Sequence, residues 1–187
     1  TASFLRAVFN KERGFVPEGG LLAQATVLEF RQEQRLLIIS DCAINIAPGY
    51  EDKKKIIANA VVLANKLGIN IPKVAVITPL EVVNPNMPET IEAAMLSKAW
   101  ERGQLKGCIV DGPLGLDNAI SAEAARHKGI NSPVAGCPNI LIMPNLAAGN
   151  IFTKSLTYFA ELNSSGNVIG TRIPIVMTSR SDTPENK

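Results

Sequence analysis

Apolar positions recur along the chain at two spacings, one helical and one of alternating or continuous β type. Over Glu51–Leu67, residues Ile56, Ile57, Ala60, Val61 and Ala64 fall on one side of a helix, and Gly68 stands where a left-handed cap belongs. Pro88–Arg102 reads as a second helix with Ile91, Met95 and Trp100 on its apolar side and Gly103 closing it. Leu116–Lys128 and Ala148–Phe159 are two more, and Thr1–Lys11 carries Phe4, Leu5, Val8 and Phe9 on one helical face. Short β-rich runs separate them. Ala25–Phe30 and Arg35–Ser40 flank the charged turn Arg31–Gln34 as a hairpin, followed by Lys73–Thr78, Lys106–Asp111 and Ile140–Asn145. Val168–Thr178 is again β-rich, and Pro174 places it at a sheet edge or a bulge. Gly14–Gly20 and Pro79–Pro88 read as loops. Strands alternating with helices of this length predict βαβ units, so the fold class is α/β, with a mostly parallel sheet flanked by helices.

Composition narrows the function classes. At 187 residues with 46% hydrophobic and 19% charged positions, the chain suits one ordinary soluble domain or two small lobes. Nineteen Lys and Arg against seventeen Asp and Glu leave +2, too weak a field to imply nucleic acid or a membrane surface. Apolar runs such as Leu36–Ser40 and Ile140–Pro144 are far shorter than a bilayer span. Cys42, Cys108 and Cys137 are odd in number and widely spaced, and His127 is the single histidine. That pattern argues against a disulfide framework or a metal site, and for a cytoplasmic protein.

In α/β sheets, ligands gather where strands end and helices begin. Four junctions carry polar or glycine-rich residues there: Ser40–Asn45, Val110–Pro113, Met143–Asn150 and Thr178–Asp182. Asp41 and Asp111 each follow a strand, as cleft-lining residues or as turn-forming Asx side chains. Gly149-Asn150 at a helix start offers backbone N–H groups to an anion, or close packing. Cys42 has no adjacent histidine and reads as a small buried residue; His127, between Arg126 and Lys128, reads as a helix-end cation.

Taken in order, Thr1–Arg6, Ser40–Pro48, Val110–Ile120, Ser132–Gly136, Pro144–Lys154 and Pro174–Asp182 resemble the phosphate acetyl/butyryltransferase family over essentially the whole chain. Glu81–Pro88 and Asp111–Ala119 are similar to the butyryl and branched-chain branch. Members of the family carry a segment before the Thr-Ala motif and a helix after the Ser-Arg motif, so residues 1–187 are expected to lack both. Leu22-Ala23-Gln24 stands where relatives usually show Ser-His. The resemblance implies a two-lobed fold like that of the isocitrate/isopropylmalate dehydrogenases, with sub-lobes near 25–145 and 1–24 plus 146–187 and an active site between them.

The implied reaction moves a short acyl group, butyryl or branched-chain favoured, between coenzyme A and orthophosphate, giving acyl phosphate. Such chemistry needs an anion site, help in ionising a thiol and stabilisation of an oxyanion, and it calls for no metal or further cofactor. By resemblance, Thr1 and Arg6 bind phosphate, as the forked guanidinium of Arg suits. Ser179 contacts the acyl phosphate or the coenzyme thiol, and Arg180 stabilises the transition state. Asp182 is taken as the general base, with Glu185 as the alternative. Asp41, Asp111, Gly149 and Asn150 complete the expected substrate-binding set in a homo-oligomer without nucleic acid or membrane partners. Two other readings stand beside this one. Similar domains form acyl-coenzyme A-binding regulatory appendages of malic enzymes, and transfer from an acyl carrier protein would need a basic docking face.

Overall fold

The structure is a computed structural model that describes residues 7–8, 10, 14–30 and 34–177. Seven strands form one sheet: β1 Ala23–Phe30, β2 Arg35–Ser40, β3 Lys73–Ile77, β4 Ile109–Leu114, β5 Ile140–Ile142, β6 Asn163–Ile169 and β7 Ile175–Val176. The helices described in full between them are α1 Tyr50–Lys66, α2 Pro88–Glu101, α3 Leu116–Ile120, α4 Ala122–His127 and α5 Leu146–Phe159. The spatial order is β4-β3-β5-β2-β1-β6-β7.

The α/β class holds, but the sheet is mixed rather than mostly parallel. β4, β3, β5 and β2 run parallel, whereas β2–β1, β1–β6 and β6–β7 are antiparallel. Helical crossovers return the chain in the same direction for the first group; hairpin reversals flip it in the second. The break lies between β2 and β1, whose register runs from Ala25 opposite Ser40 to Phe30 opposite Arg35.

The central strands are apolar on both faces because helices cover both faces. On one side Ile56, Ile57, Ala60 and Ala64 of α1 join Ala93 and Leu96 of α2 over Ala25, Ile38, Val74, Val110 and Ile140. On the other, Ala119, Val134 and the α5 residues Ala148, Phe152 and Leu156 pack against Leu28, Ile39, Ala75 and Leu141. Gly68 and Gly103 close α1 and α2 at φ of 85° and 73°, conformations that suit glycine. The chain then folds back, Ile69 N–H donating to Ala64 and Gln104 N–H to Ala99 carbonyls.

Several local expectations are corrected. The buried side of α2 is Thr90, Ala93, Leu96 and Ala99, while Ile91 and Met95 face outward. Small residues let this helix approach the sheet closely, which outweighs the placement of its larger apolar side chains. The expected helix Leu116–Lys128 is two helices, because Ser121 leaves helical geometry and its hydroxyl accepts from Ala124 N–H at 3.2 Å. β4 begins and ends three residues later than predicted and contains Pro113, which is tolerable because β4 is an edge strand. β6, with the loop-like sequence Asn-Ser-Ser-Gly-Asn, is a strand because it completes the open edge of β1. Pro174 immediately precedes β7, the other edge. No helix of the described residues is long and apolar enough to cross a membrane.

Candidate active site

Beyond the C-terminal end of β2 the chain turns through residues 41–49 before entering α1, and this turn is organised by one carboxylate. Asp41 is 2% exposed, and its Oδ1 accepts from the N–H groups of Gln24 (3.1 Å), Ala43 (2.9 Å) and Ile44 (3.2 Å). Its Oδ2 accepts from Asn45 N–H at 2.8 Å and Asn45 Nδ2 at 2.6 Å. Asn45 also reaches across to the Leu22 carbonyl at 2.7 Å, tying the loop to the entry of β1. Both oxygens of Asp41 are thus engaged by the protein. The residue builds the loop, and whatever the loop presents depends on it.

The first turn of α5 lies against this loop. A Cβ on Gly149 would come within 2.3 Å of the Asp41 carbonyl oxygen, so only glycine permits the approach. Asn150 Nδ2 donates to the Cys42 carbonyl at 3.1 Å, fixing helix and loop together. Asn145 caps the helix, its side chain accepting from Ala148 N–H at 3.0 Å, while Gly149 N–H donates to the Asn145 carbonyl. These two first-turn N–H groups are engaged internally, so the packing role of Gly149 is the one the geometry displays.

Cys42 sits beneath the loop. Burial, reinforced by the negative charge of Asp41, pushes its thiol up to about 12, against opposing hydrogen bonds from Thr26 and Thr153. A thiol held neutral is no nucleophile at pH 7, in line with its reading as a small buried residue. Gln24, which the sequence marks only as a departure from the Ser-His of relatives, is buried here together with Thr26 and Thr153, which were not singled out from sequence. The available signal was a pair of polar residues two apart in an otherwise apolar strand, which places both on one sheet face.

Asp111 lies elsewhere. Its Oδ1 accepts from Gly112 N–H at 2.8 Å and from the Ser97 hydroxyl of α2 at 3.1 Å. It belongs to β4, with β3 and β5 between that strand and β2, so roughly 14 Å separates the two strands. The structure therefore brings together Asp41, Gly149 and Asn150, but not Asp111. Thr1, Arg6, Ser179, Arg180, Asp182 and Glu185 lie outside the described residues.

A second polar cluster anchors the loop after β3. Lys128 Nζ contacts Glu81 Oε2 at 3.0 Å and Asp117 Oδ2 at 2.9 Å, and Asn118 Nδ2 donates to Glu81 at 3.2 Å. The hydrogen bond from Lys128 holds the Asp117 carboxyl below its usual range. His127 is an exposed side chain at the end of α4 with Glu123 4.0 Å away. Among the described residues no group of three or more His, Cys, Asp and Glu side chains is placed to hold a metal.

The family model described as phosphate acetyl/butaryl transferase matches residues 1–187. The chain belongs to this family. It is 48% identical over 187 residues to a phosphate butyryltransferase of Clostridium beijerinckii, covering 100% of this chain and 62% of that protein. It is also 48% identical over 183 residues to a phosphate acetyltransferase of Thermotoga maritima, covering 98% of this chain and 62% of that one. The chain thus spans about three-fifths of the length of these phosphate acetyl/butaryl transferases. A branched-chain phosphotransacylase from Enterococcus faecalis superposes with a TM-score of 0.88 at 34% identity, over 99% of this chain and 66% of that chain. A phosphotransacetylase from Streptococcus pyogenes, at 22% identity and a TM-score of 0.83, shares the fold over 100% of this chain and 56% of that chain.

Proposed function

We propose that this protein carries out reversible acyl transfer between coenzyme A and orthophosphate, releasing acyl phosphate, with butyryl or branched-chain acyl groups favoured. The observation that carries the reading is the family match over all 187 residues. The high structural similarity to a branched-chain phosphotransacylase supports it.

In the direction that consumes acyl phosphate, the sulfur of coenzyme A attacks the carbonyl carbon. A C–S bond forms, the bond between the acyl carbon and the bridging phosphate oxygen breaks, and orthophosphate leaves with that electron pair. The thiol proton passes to a base, for which Asp182 is assigned, with Glu185 as the alternative. Arg180 stabilises the oxyanion of the tetrahedral intermediate, and Ser179 hydrogen-bonds the acyl phosphate or the thiol. Thr1 and Arg6 hold the phosphate. Asp41, Gly149 and Asn150 shape the wall of the site through the loop after β2, and Asp111 is assigned to a more distant part of the same cleft.

The same proposal includes a cleft between two lobes in the manner of the isocitrate/isopropylmalate dehydrogenases, divided near 25–145 and 1–24 plus 146–187. It also includes a cytoplasmic homo-oligomer that uses coenzyme A as substrate and needs no metal. The test is steady-state kinetics with acetyl-, butyryl- and isobutyryl-coenzyme A on the full-length protein and on Arg180→Ala. The variant should lose on the order of a hundredfold or more in kcat with little change in coenzyme A affinity, because its charge acts mainly in the transition state. A change confined to a Michaelis constant makes Arg180 a binding residue and refutes its assigned role. Absence of phosphate-dependent turnover with every acyl donor refutes the reaction.

A further inference from the structure

The cluster around the Asp41 loop contains a polar atom that the cluster itself does not use. Gln24 is 8% exposed, and its carboxamide Oε1 is buried with no hydrogen-bond partner. The other end of the same group is committed, Nε2 donating to Thr26 Oγ1 at 3.1 Å. Cys42, beneath the same cluster, donates its own proton to the Ile39 carbonyl at 3.3 Å. Thr26 Oγ1 accepts from the NH2 end of Gln24, which leaves the carboxamide oxygen as the open end of the group.

The main chain of Gln24 is held as well. Its N–H donates to Asp41 Oδ1 at 3.1 Å, and its carbonyl accepts from the Ser40 hydroxyl at 3.0 Å. The side chain lies beside the β6–β7 hairpin, where a Cβ on Gly166 would fall 3.3 Å from Gln24 Nε2 and 2.4 Å from the Met177 carbonyl oxygen. Oε1 is therefore a buried, open acceptor on a side chain that lies where the loop after β2, strand β1 and the hairpin meet. Nearly all buried polar atoms find partners, and one left open next to a substrate site is suited to a donor that arrives with the substrate.

The donor follows by elimination among the substrates of the acyl transfer proposed above, on which this inference rests. Orthophosphate and acyl phosphate present oxygens that are chiefly acceptors. The pantetheine arm of coenzyme A brings amide N–H groups and a thiol S–H. We infer that Gln24 is a coenzyme A-binding residue, its Oε1 accepting a hydrogen bond from an N–H or S–H of the pantetheine arm. A neutral carboxamide supplies that acceptor without adding negative charge beside a thiol that must ionise.

The test compares unmodified full-length protein with Gln24→Met, which keeps side-chain length and removes the acceptor. The expected result is a rise of about three- to tenfold in the coenzyme A Kd and KM, the size of one neutral hydrogen bond, with the KM for acyl phosphate unchanged. Thr26→Val, which frees the carboxamide from its anchor, should raise the same two constants by a smaller factor, and it decides the matter if Gln24→Met does not fold. Coenzyme A constants within twofold of the unmodified protein overturn the assignment. So does a loss of kcat and Tm with coenzyme A affinity intact, because the oxygen then serves a donor of the protein itself. Failure of the unmodified protein to bind coenzyme A at all overturns the acyl-transfer reading first, and this inference with it.

Discussion

Gly149→Ala sets two effects of opposite sign against each other, and the geometry says which wins. Position 149 lies inside α5, where alanine is favoured over glycine by about 1 kcal/mol of helix propensity. On propensity alone the substitution stabilises. The added Cβ, however, would sit 2.3 Å from the Asp41 carbonyl oxygen and 3.3 Å from Cys42 Cα. Carbon and oxygen need roughly 3.3 Å or more, so helix and loop must part by about 1 Å. Both contacts are to backbone, so no side chain can rotate aside. Forced rearrangement of this kind costs about 1–3 kcal/mol, and a clash this short belongs at the upper end. Subtracting the propensity gain leaves a net destabilisation of about 1–2 kcal/mol. Movement of the loop also strains the hydrogen bonds that converge on Asp41, so turnover should fall alongside stability. Urea denaturation followed by circular dichroism measures the first, as a shift of the midpoint at constant m-value. Acyl-phosphate formation measures the second. A variant that is as stable as the parent, or more so, with full turnover would refute the close-packing role of Gly149.

Two further outcomes follow from buried groups. Lys53, 2% exposed on α1, pairs at 2.5 Å with Glu92 of α2, so Lys53→Met should destabilise by about 1–3 kcal/mol, less than for a fully buried pair because Glu92 is a quarter exposed. The double variant Lys53→Met with Glu92→Leu should recover much of that loss in the same urea titration; equal loss in single and double variants would mean that packing, not charge, sets the cost. Burial raises the Cys42 and Cys108 thiols to about 12 and about 11, whereas Cys137 is exposed. A chromogenic disulfide reagent at pH 8 should therefore label one thiol quickly and two only as the protein unfolds, and prompt labelling of all three would contradict the burial of the other two.

The parts of the fold that were legible in the sequence are those in which local pattern and tertiary packing agree. α1 is the clearest case: Ile56, Ile57, Ala60, Val61 and Ala64 are both its periodic face and its buried face, and Gly68 ends it. α2 matches in extent and in Trp100, which packs on the core, but its face differs at Ile91 and Met95, because packing selected Ala93, Leu96 and Ala99 for closeness of approach and left those larger side chains outside. β6 escaped notice because its residues Asn163–Asn167 carry no apolar pattern; its strand character comes from the unpaired edge of β1, a long-range cause that no local window contains.

The candidate site divides on the same line. Strand ends followed by polar residues pointed to Asp41 and to Gly149-Asn150, since a strand–loop–helix junction is visible in the order of the chain. That the three would meet depends on β5 lying beside β2, a pairing of Ile38–Ser40 with Ile140–Ile142 across about a hundred residues of sequence. Asp111 occupies an equivalent junction in the sequence, yet the crossover places its strand at the sheet edge, next to α2. Gln24 was the reverse case. Its neighbours in sequence suggested a departure from a motif, while its neighbours in space are the loop carboxylate, the Thr26 hydroxyl and the β6–β7 hairpin. Two residues with similar local surroundings therefore take different roles, and strand order is what separates them. A chemical group within a junction motif becomes part of a site only when the adjacent strand delivers its complement.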